Sequence, residues 1–123
     1  MRILVVDDEP LITRTLSLIF QNHGFEVTSA LTADDALASI RLTPPDLVLC
    51  DIDMPGRDGI SLMTDLGREL PGCPILVLTG VYSSIARVRE KALTLRQPVN
   101  IITKPCQPSE LLRSADDMLK LAC

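Results

Sequence analysis

Leu47-Val48-Leu49-Cys50-Asp51 is the stretch of the sequence that most constrains the fold. Consecutive apolar residues without alternation are typical of a strand buried on both faces, as in a parallel sheet covered by helices. Pro44 and Pro45 come just before this run, so a preceding helix must end there. The stretch therefore predicts a central buried strand that carries a carboxylate at its end.

Four further short apolar runs lie on either side of this strand, and a helical pattern follows each run. The runs are Ile3-Leu4-Val5-Val6, Phe25-Glu26-Val27, Ile75-Leu76-Val77-Leu78 and Val99-Asn100-Ile101-Ile102. Strand and helix alternating five times indicate an open, mostly parallel sheet with helices on both faces. Because the second run alternates and Asn100 interrupts the fifth, these strands are predicted to be edges. This matches the doubly wound order 2-1-3-4-5.

The helix after the first strand is predicted to run from residue 11 to residue 22, with Gly24 as its stop. Its apolar positions at helical spacing are Ile12, Leu16 and Ile19. This spacing predicts one buried face formed by these three side chains.

The length and composition limit the class of protein. The 123 residues are the usual size of one domain, so residues 1–123 are expected to form a single domain. Hydrophobic residues make up 46% and aromatic residues 2%, so the core must be built from aliphatic side chains. The net charge of -4 argues against binding to a phosphate backbone, and direct binding to nucleic acid is not expected.

The cysteines form no zinc-binding pattern with the single histidine, His23. They are scattered along the chain at Cys50, Cys73, Cys106 and Cys123. The first apolar run is too short for a signal peptide, and no stretch approaches the ~20 apolar residues of a membrane span. We therefore expect reduced thiols, a cytoplasmic location and no membrane contact.

Polar residues lie at the carboxyl ends of four of the strands. They are Asp7 and Asp8 after the first strand, Asp51 after the third, Thr79 after the fourth and Lys104 after the fifth. In a sheet of this order, ligands bind outside the carboxyl ends of the strands, so these side chains are predicted to share one crevice. Close carboxylates repel one another, and the pKa of at least one should rise unless a cation lies between them. Oxygen ligands of this kind suit Mg²⁺.

These residue types support transfer of a phosphoryl group to a carboxylate. Asp51 would supply the attacking oxygen, and Mg²⁺ and Lys104 would neutralise charge on the transferred oxygens. Thr79 would donate a hydrogen bond, and the product would be an aspartyl phosphate. Each residue taken singly is commonly a helix cap, a turn residue or a solvated charge, but together at one edge they favour a site.

The sequence resembles the receiver domain of two-component response regulators over essentially its whole length. The matching stretches are residues 3–9 (ILVVDDE), 45–59 (PDLVLCDIDMPGRDG), 78–80 (LTG) and 103–105 (TKP). The resemblance implies an α/β, flavodoxin-like (βα)5 fold. It also implies that Asp51 is phosphorylated from a histidine on a sensor histidine kinase or histidine phosphotransfer protein. Such a domain is a phosphoacceptor that assists its own phosphorylation and dephosphorylation, and is not an enzyme with a separate substrate.

The resemblance further implies a metal site and one backbone feature. Asp8 and Asp51 would bind Mg²⁺ through their side chains, Asp53 through its backbone carbonyl, and Asp7 largely through water. The peptide bond between residues 104 and 105 would be cis, which fits a bond that precedes proline.

Two positions depart from the family pattern. Ile101 stands where a Tyr or Phe commonly precedes the lysine by three residues, and Cys106 stands where a Phe commonly follows Lys-Pro. An aromatic switch is therefore not predicted. Phosphorylation is still expected to bias the loops after strands three and four and the fourth helix.

The first helix offers a candidate surface for the histidine-bearing partner. If the predicted face is buried, Leu11, Thr15 and Leu18 form a flanking stripe. We hypothesise that this docking stripe binds a histidine-bearing helical bundle beside the crevice. Scattered exposed leucines are also ordinary on protein surfaces, so the pattern alone does not distinguish a docking surface from an ordinary one.

Three other functions stay open at the level of sequence. Asp51-Ile52-Asp53 also resembles the D-x-D signature of haloacid-dehalogenase-like phosphatases, in which Asp53 would be a general acid. Those enzymes usually carry the nucleophile on their first strand, and this chain has no room for a cap domain. A flavodoxin-like cofactor binder would need a Gly-rich phosphate loop and stacking aromatics. A receiver that binds proteins without being phosphorylated is disfavoured because the acceptor, threonine and lysine are all present.

Overall fold

The computed structural model describes residues 1–54 and 59–122 of the chain, and in this part five strands alternate with five helices. The strands are β1 (Arg2–Val6), β2 (Glu26–Ala30), β3 (Leu47–Asp51), β4 (Ile75–Thr79) and β5 (Val99–Thr103). The helices are α1 (Pro10–Asn22), α2 (Ala33–Leu42), α3 (Gly59–Glu69), α4 (Tyr82–Ala92) and α5 (Pro108–Ala122). None of these helices is long and apolar enough to cross a membrane.

The described strands pair in parallel and form one sheet in the order β2-β1-β3-β4-β5. The predicted α/β, doubly wound, flavodoxin-like (βα)5 fold is therefore confirmed. All residues of β3 and β4 are buried, whereas β2 is mostly exposed, as the difference between unbroken and alternating apolar runs indicated. Asp51 and Thr79 are the last residues of their strands, and Lys104 comes directly after β5.

Two hydrophobic layers cover the two faces of the sheet. One layer packs α2, α3 and α4 against the sheet, and the other packs α1 and α5. Aliphatic side chains dominate both layers, as the composition predicted. The aromatic exceptions are Phe20 and Phe25, whose rings meet edge-on at a centroid distance of 5.4 Å. The carboxyl edge of the sheet is thus held on a rigid, close-packed support.

The buried face of α1 differs from the predicted one. The buried residues of α1 are Thr13, Leu16 and Phe20. Ile12 and Ile19, which were predicted to be buried, are only partly covered. Two contacts explain the difference: the Phe20 ring packs in the core, and the Thr13 hydroxyl donates to the backbone carbonyl of Asp7 at 3.1 Å. Both contacts place the face of α1 that carries Thr13 and Phe20 against the rest of the protein.

Gly59 begins α3 directly against the end of β3. Its backbone N–H donates to the carbonyl of Ile52 at 3.2 Å. A Cβ at this position would lie 2.7 Å from the Cα of Ile52 and 2.9 Å from the carbonyl oxygen of Asp51. These backbone atoms cannot move aside as the end of a flexible side chain can, so the residue must be glycine for α3 to pack here.

Gly59→Ala is expected to lower the free energy of unfolding by about 1–3 kcal/mol, the usual cost of overpacking. Urea denaturation followed by circular dichroism measures this change. Gly80→Ala is the matched control, because the nearest atom to a Cβ at Gly80 is the Lys104 Cβ at 3.8 Å, an ordinary contact. Equal stability of wild type and Gly59→Ala would contradict the close approach.

Candidate functional site

The register of the sheet brings the acidic residues of two strands together. Val6 of β1 pairs with Cys50 of β3, so the residues that follow them, Asp7 and Asp51, are neighbours at the carboxyl edge. Carboxylate oxygens of Asp7, Asp8 and Asp51 all lie within 4.8 Å of one another. The structure therefore forms an acidic cluster from the three carboxylates that the sequence predicted to share a crevice.

Asp7 is the most buried member of the acidic cluster, with 2% of its surface exposed. Its Oδ1 accepts the backbone N–H of Glu9 at 3.0 Å, whereas its Oδ2 is buried and meets no hydrogen-bond donor among the described residues. Burial is the main cause that raises the pKa of Asp7; the Glu9 N–H opposes the rise, and the negative charge of Asp51 adds to it. The predicted rise is thus present, but burial contributes more than repulsion.

The donor set of the acidic cluster fits a hard divalent cation. Three carboxylates within reach of one another offer only oxygen ligands, which Mg²⁺ prefers over nitrogen and sulfur. The buried Oδ2 of Asp7 accepts no hydrogen bond from the described residues, and its nearest cationic group, the Lys104 ammonium, is 3.8 Å away, so a bound cation would give it a closer partner. The site residues present are therefore compatible with a bound Mg²⁺.

Lys104 places its ammonium group at the acidic cluster. Its backbone N–H donates to the carbonyl of Thr79 at 2.9 Å, which fixes the residue at the end of β5. Its Nζ lies 3.4 Å from Asp51 Oδ2 and 3.8 Å from Asp7 Oδ2. The peptide bond that follows, to Pro105, is cis, as the family resemblance implied. The lysine thus provides the positive charge that the carboxylates share.

Thr79 is fully buried, but its hydroxyl faces Asp53 in this structure. The Thr79 hydroxyl donates to Asp53 Oδ2 at 2.9 Å and accepts the backbone N–H of Val81 at 3.2 Å. The other oxygen of the same carboxylate, Asp53 Oδ1, accepts the hydroxyl of Ser84 at 2.8 Å. The predicted aspartates, threonine and lysine therefore lie at the same edge of the sheet, with the Thr79 hydroxyl turned toward the loop after β3.

Two of these contacts were not predicted from the sequence. The family resemblance gave Asp53 only a backbone role, the alternative phosphatase interpretation made it a general acid, and Ser84 was not singled out because a serine in the first turn of a helix is ordinary. The backbone N–H of Asp53 does contact the site, since it donates to Asp51 Oδ1 at 3.0 Å. Residues 55–58 of the longest matching stretch, and Cys123, lie outside the described residues.

The docking stripe on α1 borders two different depressions. Leu11 and Leu18 are 73% and 52% exposed, and Thr15 is exposed as well. Thr15 lines a largely apolar pocket of about 410 Å³ that also includes Lys104 and Cys106. Leu18 lines a separate groove on the β2 side of the helix. Thr15, in the middle of the stripe, therefore shares a depression with Lys104, whereas Leu18 does not.

Comparison with known proteins identifies relatives over nearly the whole chain. The family model for the response regulator receiver domain matches residues 3–116. The protein PilH of Pseudomonas aeruginosa is 32% identical over 120 residues, which cover 96% of this chain and 97% of PilH. The DNA-binding response regulator MtrA of Mycolicibacterium smegmatis is 34% identical over 112 residues, which cover 90% of this chain and 47% of MtrA.

A solved structure agrees with the fold in detail. The CheY-like response regulator receiver domain protein of Methanospirillum hungatei superimposes with a TM-score of 0.88 at 31% identity, covering 98% of this chain and 94% of that one. By contrast, the chain spans only 26–47% of the length of several larger regulators that it matches. Since the family model covers most of the chain, the protein belongs to the receiver domain family of two-component response regulators.

Proposed function

We propose that residues 1–123 act as one receiver unit in which Asp51 accepts a phosphoryl group from a phosphohistidine. The donor would be a sensor histidine kinase or a histidine phosphotransfer protein. One observation carries the proposal: a carboxylate that is 5% exposed ends the central strand, with an ammonium group 3.4 Å from its Oδ2 and two more carboxylates beside it. The family match supports the same function.

Each of the described groups would have a separate role in the transfer. An oxygen of Asp51 would form the new bond to phosphorus while the bond between phosphorus and the histidine nitrogen breaks. The backbone N–H of Asp53 orients the Asp51 carboxylate through its Oδ1. Lys104, close to Asp51 Oδ2, would balance the charge that develops on the transferred oxygens. By the same groups, the domain would assist its own phosphorylation and dephosphorylation.

The acidic cluster would hold Mg²⁺ through Asp8 and Asp51 side chains and the Asp53 backbone carbonyl, with Asp7 acting largely through water. When bound, the ion would neutralise the carboxylates and the incoming phosphoryl oxygens, which otherwise repel. The all-oxygen donor set of the three carboxylates, and the buried Oδ2 of Asp7 that accepts no hydrogen bond from the described residues, support a cation at this place.

The state of the cysteine thiols and the net charge bear on the location and the partners. We propose a cytoplasmic location, since the thiols of Cys73 and Cys106 are free and suit a reducing compartment. Burial raises the pKa of Cys73 to about 11, so this thiol stays protonated and unreactive. The net charge of -4 supports an output through protein contacts rather than through direct binding of this domain to nucleic acid.

Intact mass after incubation with acetyl phosphate, with and without Mg²⁺, tests the proposed function. We expect one phosphoryl adduct per chain that requires Mg²⁺ and decays slowly. Multiple turnovers of p-nitrophenyl phosphate would instead indicate a phosphatase of haloacid-dehalogenase type. No adduct under any condition would indicate a receiver that binds partners without being phosphorylated.

Leu18→Glu tests the docking stripe. A charge at a partner surface commonly costs more than 1 kcal/mol, so we expect phosphotransfer from a phosphorylated histidine domain that labels the wild type to slow by roughly tenfold. Labelling by acetyl phosphate should not change, because the small donor needs no docking surface. Leu42→Glu is the matched control, since Leu42 is 86% exposed at the end of α2. Equal loss with both donors, or an equal effect of Leu42→Glu, would reject the stripe.

A further inference from the structure

The side chain of Asp53 connects three segments of the chain. Its Oδ2 accepts the Thr79 hydroxyl at 2.9 Å, and its Oδ1 accepts the Ser84 hydroxyl at 2.8 Å. Thr79 ends β4 and is fully buried, and Ser84 lies in the first turn of α4 with 4% of its surface exposed. We call these three residues the Asp53 clasp. The clasp joins the loop after β3 to the end of β4 and to α4.

Asp53 also touches the acceptor residue directly. Its backbone N–H donates to Asp51 Oδ1 at 3.0 Å, while its carboxylate faces Thr79 and Ser84. Asp53 therefore contacts the Asp51 carboxylate through its backbone N–H and contacts α4 through its side chain. A change in charge at Asp51 acts on both groups.

The Thr79 hydroxyl has a single proton and can donate to only one acceptor at a time. In this structure its nearest acceptor is Asp53 Oδ2 at 2.9 Å, with the carbonyl of Val81 at 3.3 Å. A phosphoryl group on Asp51 would bring further strong acceptor oxygens and about 1.5 to 2 negative charges. It would compete for the Thr79 proton and would also repel the Asp53 carboxylate.

Two hydrogen bonds attach the start of α4 to the site, one from the backbone N–H of Val81 to the Thr79 hydroxyl at 3.2 Å and one from the Ser84 hydroxyl to Asp53. The side chain of Val81 at the N-cap makes no capping bond, so a side-chain anchor has to come from another residue of this turn. Ser84 supplies one, through a hydrogen bond to a charged acceptor, which is stronger than a neutral one. If Asp53 turns away, Ser84 loses this partner and the first turn of α4 is released.

We propose that Asp53 and Ser84 are positioning residues that hold Thr79 and the first turn of α4 in the unphosphorylated arrangement, and that a phosphoryl group on Asp51 opens this clasp. The inference rests on the proposed function of Asp51 as the acceptor. It gives a route from the acceptor to α4 through hydrogen bonds, which needs no aromatic ring at Ile101.

Hydrogen exchange of peptides that cover α4, measured with and without acetyl phosphate and Mg²⁺, tests the clasp. In the wild type, phosphorylation is expected to speed exchange in the first turn by roughly tenfold. Ser84→Ala should show this fast exchange before phosphorylation, with less than about a twofold further change on phosphorylation. Ser84→Cys, which keeps the volume but has a weak donor, should behave like Ser84→Ala even if the alanine variant folds poorly.

Two controls separate positioning from a general effect on α4. Ser84→Thr restores a hydroxyl and should restore the wild-type response, and Ser83→Ala changes an exposed neighbouring serine and should leave it unchanged. The clasp is rejected if both Ser84→Ala and Ser84→Cys exchange at the wild-type rate before phosphorylation. It is also rejected if complete phosphorylation leaves exchange in wild-type α4 unaltered.

Failure of the proposed function gives a different result. The mass of the same samples reports the phosphoryl label, so an unlabelled wild type would reject Asp51 as an acceptor. The comparison of unphosphorylated wild type with Ser84→Ala would still decide whether Ser84 holds the first turn of α4.

Discussion

Asp51→Asn is expected to abolish labelling by acetyl phosphate, with a rate lower by on the order of a thousandfold or more. The amide nitrogen and oxygen are much weaker nucleophiles than a carboxylate, and no other carboxylate of the acidic cluster ends the central strand. Asparagine has nearly the same shape and keeps an oxygen that can accept the Asp53 N–H, so the fold should persist.

The rate of adduct formation by intact mass measures this change. Asp117→Asn is the matched control, because Asp117 is an exposed aspartate on α5. Full labelling of the control together with none of Asp51→Asn is the expected outcome. Labelling of Asp51→Asn at even a tenth of the wild-type rate would assign the acceptor to another residue.

Lys104→Ala is expected to lower the labelling rate by about 10²–10³-fold, the usual cost of removing one group that stabilises developing charge. The Nζ of Lys104 lies near both Asp51 Oδ2 and Asp7 Oδ2. Its loss would therefore also remove a positive charge that reduces the repulsion between these two carboxylates. The backbone bond from residue 104 to the Thr79 carbonyl does not depend on the side chain, so the end of β5 should stay in place.

The initial rate at saturating Mg²⁺ measures the effect of Lys104. Lys120→Ala, at an exposed lysine of α5, controls for the loss of one positive charge from the domain. A drop of less than about threefold in Lys104→Ala would mean that the ammonium group does not act on the transferred oxygens. A similar drop in Lys120→Ala would point to net charge as the cause.

The sequence predicted the acidic cluster because parallel strands leave little freedom at their carboxyl ends. Once β1 and β3 were identified as neighbouring buried strands, Asp7 and Asp51 had to emerge side by side. Lys104 follows β5, which is separated from β3 by β4, and its long side chain reaches the cluster from the same edge of the sheet. Unbroken apolar runs identified the central strands because side chains on both faces of a covered sheet are buried.

The contacts that the sequence did not predict all depend on tertiary packing. The buried face of α1 is set by the ring of Phe20 against Phe25, and helical spacing alone favoured Ile12 and Ile19 instead. Apolar periodicity predicts a broad stripe on a helix, and this stripe does not specify which of its residues point directly at the core. One large side chain such as Phe20 can therefore decide which residues are fully buried.

The Asp53 clasp was not predictable for a related reason. Whether the carboxylate of Asp53 faces solvent, a metal ion or α4 depends on how α4 packs, and local sequence does not report that packing. A first-turn serine such as Ser84 also satisfies the ordinary preferences of a helix terminus. Only the distances from Asp53 to the two hydroxyls distinguish a clasp from a solvated loop.

The residue that carries the phosphoryl group can be located most directly by reduction with borohydride. This reagent converts an aspartyl phosphate to homoserine, which marks the modified residue in peptide mass spectra. After incubation with acetyl phosphate and Mg²⁺, we expect homoserine at Asp51 and unmodified side chains at Asp7, Asp8 and Asp53. Homoserine at any of the other three positions, or an unmodified Asp51 in fully labelled protein, would contradict Asp51 as the acceptor.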